Sequence, residues 1–194
     1  MDKVSYALGL SIGQNFQSTG IKDLQAEDFY NGLLDVIKGR QPKISYEEAQ
    51  QVINAYFSQL QKERYQNNKA AGEEFLKINA HRDDVTVLDS GVQYQVLKQG
   101  DGPKPKATDK VKCHYHGTLI NGVVFDSSVD RGTPATFPVN GVIKGWQEVL
   151  QLMPVGSKWR VAIPYDLAYG EQGAGSAIEP YATLLFDIEL LEIV

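Results

Sequence analysis

The chain has 194 residues, 42% of them apolar and 22% charged, with a formal net charge of -5. This is the composition of a folded globular protein rather than a disordered one, and the acidic balance argues against a nucleic-acid binder, which presents a basic face. The single cysteine, Cys113, excludes an internal disulfide framework and fits a reducing compartment. No basic-then-apolar leader opens the chain and no apolar run reaches about 18 residues, so neither a signal peptide nor a membrane span is read. A cytoplasmic protein is expected, with the periplasm open had a leader been removed.

Proline and glycine divide the chain into two parts. Only Pro42 of the eight prolines lies before residue 100, and Gly100-Asp101-Gly102-Pro103 opens a stretch dense in turn residues. The first part therefore reads as helical and the second as strand-rich. Val4, Ala7, Leu8, Ile12 and Phe16 recur at helical spacing until Gly20 closes the element. Phe29, Leu33, Leu34 and Ile37 repeat the pattern, with Gly39 as a left-handed cap.

Ser45-Tyr46-Glu47-Glu48 is a capping box that starts a third helix. Tyr46, Ala49, Ile53, Tyr56 and Leu60 form its narrow apolar stripe. No proline interrupts it before about His81, which predicts a helix roughly 50 Å long at 1.5 Å per residue. The polar middle, Gln61 to Lys69, suits a helix crossing open solvent between two bodies. In the first helix Gly9 and Gly13 lie four apart, where each costs about 1 kcal/mol relative to alanine. Close packing against a partner helix is the preferred reason, and packing within the monomer is the alternative.

The second part alternates over Val92–Lys98 and Val111–His116, with further half-buried strands at Lys158–Ile163 and Thr183–Leu190. Asn121-Gly122 between apolar runs signals a type I′ hairpin. One short helix is expected at Trp146–Met153. An antiparallel sheet covered on one face by that helix is the economical architecture, of the α+β class.

Several candidate chemistries can be weighed from residue types alone. His114 and His116 lie on one strand face, yet zinc needs three or four convergent ligands, the only other histidine is His81, and Cys113 faces the opposite side. Metal binding is therefore not expected. Gly170–Gly175 superficially resembles a phosphate cradle, but no Lys-Ser/Thr follows and no strand–loop–helix unit surrounds it, so a hairpin tip is the better reading. Neither Ser127 nor Ser128 has a histidine partner that the sequence itself places, so serine-hydrolase logic fails.

Asp126 follows Phe125 at the end of an apolar strand and is expected to be poorly solvated and hydrogen-bonded. It either anchors the Ser127-Ser128 turn or pairs with Arg131, or it marks the polar edge of an apolar pocket, and the readings are compatible. Tyr115, Phe125, Phe137, Trp146, Tyr169 and Phe186 come from different elements, as lining for a concavity with few polar groups would.

From about Val85 to Val194 the chain resembles the macrolide-binding (FKBP) peptidyl-prolyl cis-trans isomerases. The resemblance is carried by Cys113-His114-Tyr115-His116-Gly117, Gly122-Val123-Val124-Phe125-Asp126-Ser127-Ser128, Val142-Ile143-Lys144-Gly145-Trp146, Met153-Pro154-Val155-Gly156, Ala168-Tyr169-Gly170 and Ala182-Thr183-Leu184-Leu185-Phe186-Asp187. The first half is similar to the N-terminal dimerisation module of the bacterial two-domain, Mip-like group.

The resemblance implies a helical dimerisation domain over 1–84, including a connecting helix at about 45–81, and an isomerase domain over 85–194 with a half-barrel sheet wrapped on one short helix. It implies a non-covalent prolyl isomerase without cofactor or metal, acting on proline-containing polypeptides, open to macrolide inhibitors and homodimeric through about residues 1–60. Trp146 would floor the pocket. Tyr115, Phe125, Phe137, Val142, Ile143 and Phe186 would line it, with Asp126 beside the twisting amide. The Ile143 N–H and Tyr169 hydroxyl would bond peptide carbonyls. Ala135, where many members have a second aromatic, and the small tip residues Ala174 and Ala177, with Glu179-Pro180 in place of Pro-Pro, depart from the pattern. These departures keep open a non-catalytic chaperone or adaptor that uses the same pocket only to bind.

Overall fold

A computed structural model describes residues 1–194. Contacts divide it into two compact units, Met1–Lys62 and Glu63–Val194, so the border falls inside one helix.

In the first unit, α1 (Lys3–Thr19) begins where the Asp2 carboxylate accepts from the Ser5 N–H and ends at left-handed Gly20. Helix α2 (Ala26–Ile37) closes with the Arg40 N–H on the Asp35 carbonyl around left-handed Gly39. The capping residue Ser45 accepts from the Glu48 N–H at 3.0 Å and starts α3 (Tyr46–Asn79). Its 34 residues correspond to about 51 Å. Phe16 and Phe29 meet edge to face, with ring centroids 5.4 Å apart. No residue of α1 or α2 is buried. The apolar stripes expected from the sequence are thus present but open.

The second unit contains the last part of α3 and a seven-stranded antiparallel sheet: β1 (Thr86–Val87), β2 (Gln93–Lys98), β3 (Lys110–Leu119), β4 (Val124–Ser127), β5 (Ala135–Pro138), β6 (Lys158–Ile163) and β7 (Leu184–Ile193). The order is β1-β2-β6-β7-β3-β4, and β5 also pairs with β3. Along β3 the inward positions Val111, Cys113, Tyr115 and Gly117 are buried while His114 and His116 face the other side, as the alternation predicts. Helix α4 (Lys144–Leu152) buries Trp146, Val149 and Leu150 in the same core as Val161, Ile163, Leu184, Phe186, Ile188 and Leu190. Cys113 lies in that core with no exposed surface, and burial pushes its thiol up to about 12.

Two local expectations need correction. The β3–β4 connection is not a type I′ turn, because only Gly122 has a positive φ (84°) and Asn121 does not. The Gly122 N–H bonds the Leu119 carbonyl and the Leu119 N–H bonds the Val123 carbonyl, which makes a three-residue loop with glycine at the left-handed position. The Asn121 side chain accepts from the Val123 N–H, holding Asn121 out of the left-handed region that I′ would need. Nor does the polar stretch of α3 cross open solvent throughout. From Tyr65 onward one face is covered, through Asn68, Gly72, Phe75, Leu76 and Asn79. Gln93 secures this end, donating to the Leu76 carbonyl and accepting from Asn79.

Candidate functional site

Strand β3, strand β7, strand β5 and helix α4 bring four rings together. Trp146 is 4% exposed, and Tyr115, Phe137 and Phe186 stand nearly perpendicular or tilted around it. Their centroids lie 5.5, 5.8 and 5.2 Å from the indole, at interplanar angles of 82°, 82° and 85°. Phe125 extends the group by an edge contact to Phe186 at 5.4 Å. Val142 and Ile143, at the entry to α4, pack against the hydrophobic core that contains Tyr115, Trp146 and Phe186. Offset and edge-on rings of this kind make a stiff apolar surface.

Gly117 lets the rings close up, because a Cβ there would lie 2.7 Å from Phe125 and 2.9 Å from Phe186. Ala135, opposite Cys113 in the ladder, keeps the position beside Phe137 small.

Polar groups sit at the edge. The Tyr115 hydroxyl donates to Asp126 Oδ2 at 2.5 Å and accepts from Arg131 Nη2 at 2.8 Å. Arg131 Nη1 also pairs with Asp126 Oδ1. The Asp126 side chain is 44% exposed, so it is not poorly solvated as expected: β4 ends one residue later, at Ser127, and one side of the carboxylate is left to water. Burial works to raise its carboxyl, but hydrogen bonds from Tyr115 and Arg131 and the guanidinium charge outweigh it and hold the carboxyl below its ordinary value. Burial first, and then the bond to Asp126, push the Tyr115 phenol upward. A neutral phenol and an ionised carboxylate therefore coexist at neutral pH.

The Ile143 N–H makes no hydrogen bond within the chain, although the Ile143 carbonyl accepts from Trp146 and Gln147. It remains available as a donor beside the rings. Tyr169 stands apart from the other expected site residues. It is 42% exposed and its ring touches none of the four, while its neighbours Leu167 and Ala168 pack on the core. The buried Trp146 Nε1 has no partner, but neither has that of Trp159, so this feature alone does not mark the site.

Sequence reasoning missed two arrangements. The first is the Tyr115–Asp126–Arg131 triad, for which the only signal was the weighed Asp126–Arg131 pair. The second is that both serines do have histidine partners, His114 on Ser128 at 3.0 Å and His116 on Ser127 at 2.9 Å. The β3–β4 register sets His116 opposite Ser127, which sequence spacing could not place. Neither serine becomes an accessible nucleophile. Ser128 is fully buried and its hydroxyl bridges the Tyr115 N–H and carbonyl, while Ser127 accepts from the Asp130 N–H. The glycine-rich tip is closed by an antiparallel bridge between Ala174 and Ile178 rather than opening on a helix N-terminus.

Comparison with known proteins assigns both parts of this architecture. Residues 102–191 match the FKBP-type peptidyl-prolyl cis-trans isomerase family, and residues 1–96 match the domain amino terminal to FKBP-type peptidyl-prolyl isomerase. The chain is 46% identical over 194 residues to the FKBP-type 22 kDa peptidyl-prolyl cis-trans isomerase of Escherichia coli, covering 98% of this chain and 94% of that protein. It is 48% identical over 207 residues to the FKBP-type peptidyl-prolyl cis-trans isomerase FkpA of Aeromonas hydrophila, covering 99% and 76%. The crystal structure of FkpA from Escherichia coli matches with a TM-score of 0.77 at 35% identity, over 98% of this chain and 95% of that one. With its ring-lined surface, its two matched regions and relatives of this kind along nearly its full length, the chain belongs to the FKBP-type peptidyl-prolyl cis-trans isomerases of the two-domain, Mip-like group, and its activity is the rotation of bonds that precede proline.

Proposed function

We propose that the substrate proline rests on Trp146 between Tyr115, Phe137 and Phe186, and that catalysis there is wholly non-covalent. The observation that carries this reading is the near-perpendicular set of rings around one buried indole, next to the unbonded Ile143 N–H. The planar amide is held by a resonance barrier of about 18–20 kcal/mol. Rotation removes that resonance and much of the carbonyl dipole, so a dry apolar surface disfavours the twisted amide less than the planar one.

The Ile143 N–H and the Tyr169 hydroxyl would hold flanking carbonyls, giving the peptide chain purchase while the bond turns. Asp126 has both oxygens engaged, so it acts mainly by fixing the Tyr115 phenol and presenting negative potential at the pocket edge. Macrolides would compete for the same surface.

The helical unit supports a homodimer. Val4 and Leu8 of α1 are 68% and 61% exposed, and a Cβ at Gly9 or Gly13 would meet nothing within the chain. Such an open stripe, notched by glycines, suits a second copy of the same helices. Two isomerase sites in one particle would engage unfolded clients more persistently than one.

The test is refolding of a protein limited by proline isomerisation, which relaxes in tens to hundreds of seconds. Substoichiometric enzyme should accelerate the slow phase. Yield improved without faster kinetics would instead mark binding alone. Gly13→Leu should give a monomer by sedimentation that keeps peptide turnover but loses much of the refolding effect. A dimer unchanged by that substitution would place the contact elsewhere.

A further inference from the structure

The covered face of α3 in the second unit does more than fill space. Arg64, Tyr65, Asn68, Lys69 and Gly72 lie at helical spacing on one side of the helix. Four of them reach the loop from Tyr165 to Tyr181, which contains Tyr169. Asn68 Nδ2 donates to Glu179 Oε2 at 2.8 Å and to the Pro180 carbonyl at 3.2 Å. Arg64 pairs with the same Glu179. Tyr65 packs on Tyr181 with centroids 6.2 Å apart, and the Lys69 ammonium lies 5.6 Å from the Tyr165 ring. Gly72 is buried against Thr183, just after the loop.

The two legs of the loop are braced to each other. The Tyr165 and Tyr181 rings meet at 5.2 Å, the Tyr181 N–H bonds the Gly170 carbonyl at 3.0 Å, and the Gly170 N–H bonds the Tyr165 carbonyl at 2.8 Å. Tyr169 is thus the free corner of a turn whose ends are both pinned to α3. Tyr181 itself has a φ of 61°, the only non-glycine residue with a positive φ in the chain. Such a conformation is strained and persists where surrounding contacts over-determine it.

We propose that this face of α3 positions the isomerase site: Asn68 and Arg64, acting through Glu179, set the place of Tyr169. The inference rests on the reading that the Tyr169 hydroxyl bonds the bound peptide. Asn68 is the firmer tie, because its bond to a carboxylate is charge-assisted and half-buried, whereas Arg64 is 62% exposed and screened by solvent. Glu179 is the one carboxylate that receives both. The Glu179-Pro180 pair, a departure from the family pattern, has its counterpart on the helix.

The test uses the full-length chain and a proline tetrapeptide, with kcat and KM measured separately. Glu179→Ala and Asn68→Ala should each raise KM about fivefold, the worth of one such hydrogen bond, with kcat changed less than about twofold. Glu179→Gln keeps an amide oxygen that accepts from Asn68 and should recover most of the loss. In a Tyr169→Phe background the same substitutions should change KM by less than about 1.5-fold, because the group they position is gone.

A wild-type KM in Glu179→Ala, with KM raised in Tyr169→Phe, overturns the positioning role and leaves the assignment of Tyr169 standing. A wild-type KM in Tyr169→Phe overturns both. Equal losses in the two backgrounds, or a lower Tm with KM unchanged, mean that the contact is structural only and likewise overturn the proposal.

Discussion

Replacing Trp146 by leucine separates the floor of the site from the core that contains it. The indole is 4% exposed, and truncation of such a residue to alanine costs about 3–5 kcal/mol. Leucine refills much of that space. It also removes a buried N–H that has no partner, a group whose burial costs about 1–3 kcal/mol. The net destabilisation should be about 1–2 kcal/mol, a fall in Tm of roughly 2–8 °C for a chain of this length. The domain therefore stays folded.

The flat surface on which three rings converge is lost, and kcat/KM on a proline tetrapeptide should drop at least about tenfold, equivalent to about 1.4 kcal/mol. Trp159→Leu is the matched control. Trp159 is also 4% exposed with an unpartnered N–H, but it stacks on Tyr94 at 4.2 Å, outside the four-ring group. It should lose comparable stability and keep its turnover. A protease-coupled peptide assay and a thermal melt on both variants suffice. Turnover within twofold of wild type in Trp146→Leu, beside the expected fall in Tm, would refute the floor assignment.

Tyr115→Phe keeps the ring contacts to Phe137 and Trp146 but frees Asp126 of one donor, and should lower kcat/KM about threefold to tenfold; unchanged kinetics would show that the phenol is a bystander. The folded Asp126 pKa is depressed, so its contribution to stability is present above the unfolded value of about 4 and lost as pH falls through the folded one. Asp126→Asn should therefore flatten part of the acid limb of Tm against pH below about pH 4, and an identical limb in both proteins would contradict the shift. Gly72→Ala should lower Tm despite the better helix propensity of alanine, because the new Cβ falls within contact of Thr183 Oγ1 and 3.0 Å from its Cβ. Thr183→Ala should restore part of the loss. A raised Tm in the single variant would show that helix and strand can move apart freely.

Local patterns carried much of the fold into the sequence. Ser45 and Glu48 announced α3, the alternation over Val111–His116 announced β3, and the apolar residues after Lys144 announced α4. Residue types alone single out the six rings and Asp126 as a candidate pocket, and resemblance to a family adds Val142 and Ile143. Tyr115, Phe137 and Phe186 surround Trp146, Phe125 and Asp126 extend the group, and Tyr169 stands apart.

What stayed illegible depends on register and distance in the chain. The His114–Ser128 and His116–Ser127 bonds require a ladder alignment that residue types do not encode. The helix–loop contacts join Asn68 to a residue 111 positions away through polar groups, which in sequence look like any solvated surface. The turn after Leu119 is ambiguous in sequence because Asn-Gly fits two loop lengths, and the three-residue form is the one in which the Asn121 side chain accepts from the Val123 N–H.

The lone thiol of Cys113 offers a use that its chemistry alone would not suggest. A sulfur without surface, whose proton is held to about 12, is inert to alkylating reagents while the sheet is shut. Since the chain has no other cysteine, any labelling must report the fraction of molecules in which β3 has come away from its neighbours. The protein thus carries its own clock for global opening, read by mass and free of any engineered probe, and occupancy of the nearby aromatic hollow should slow it.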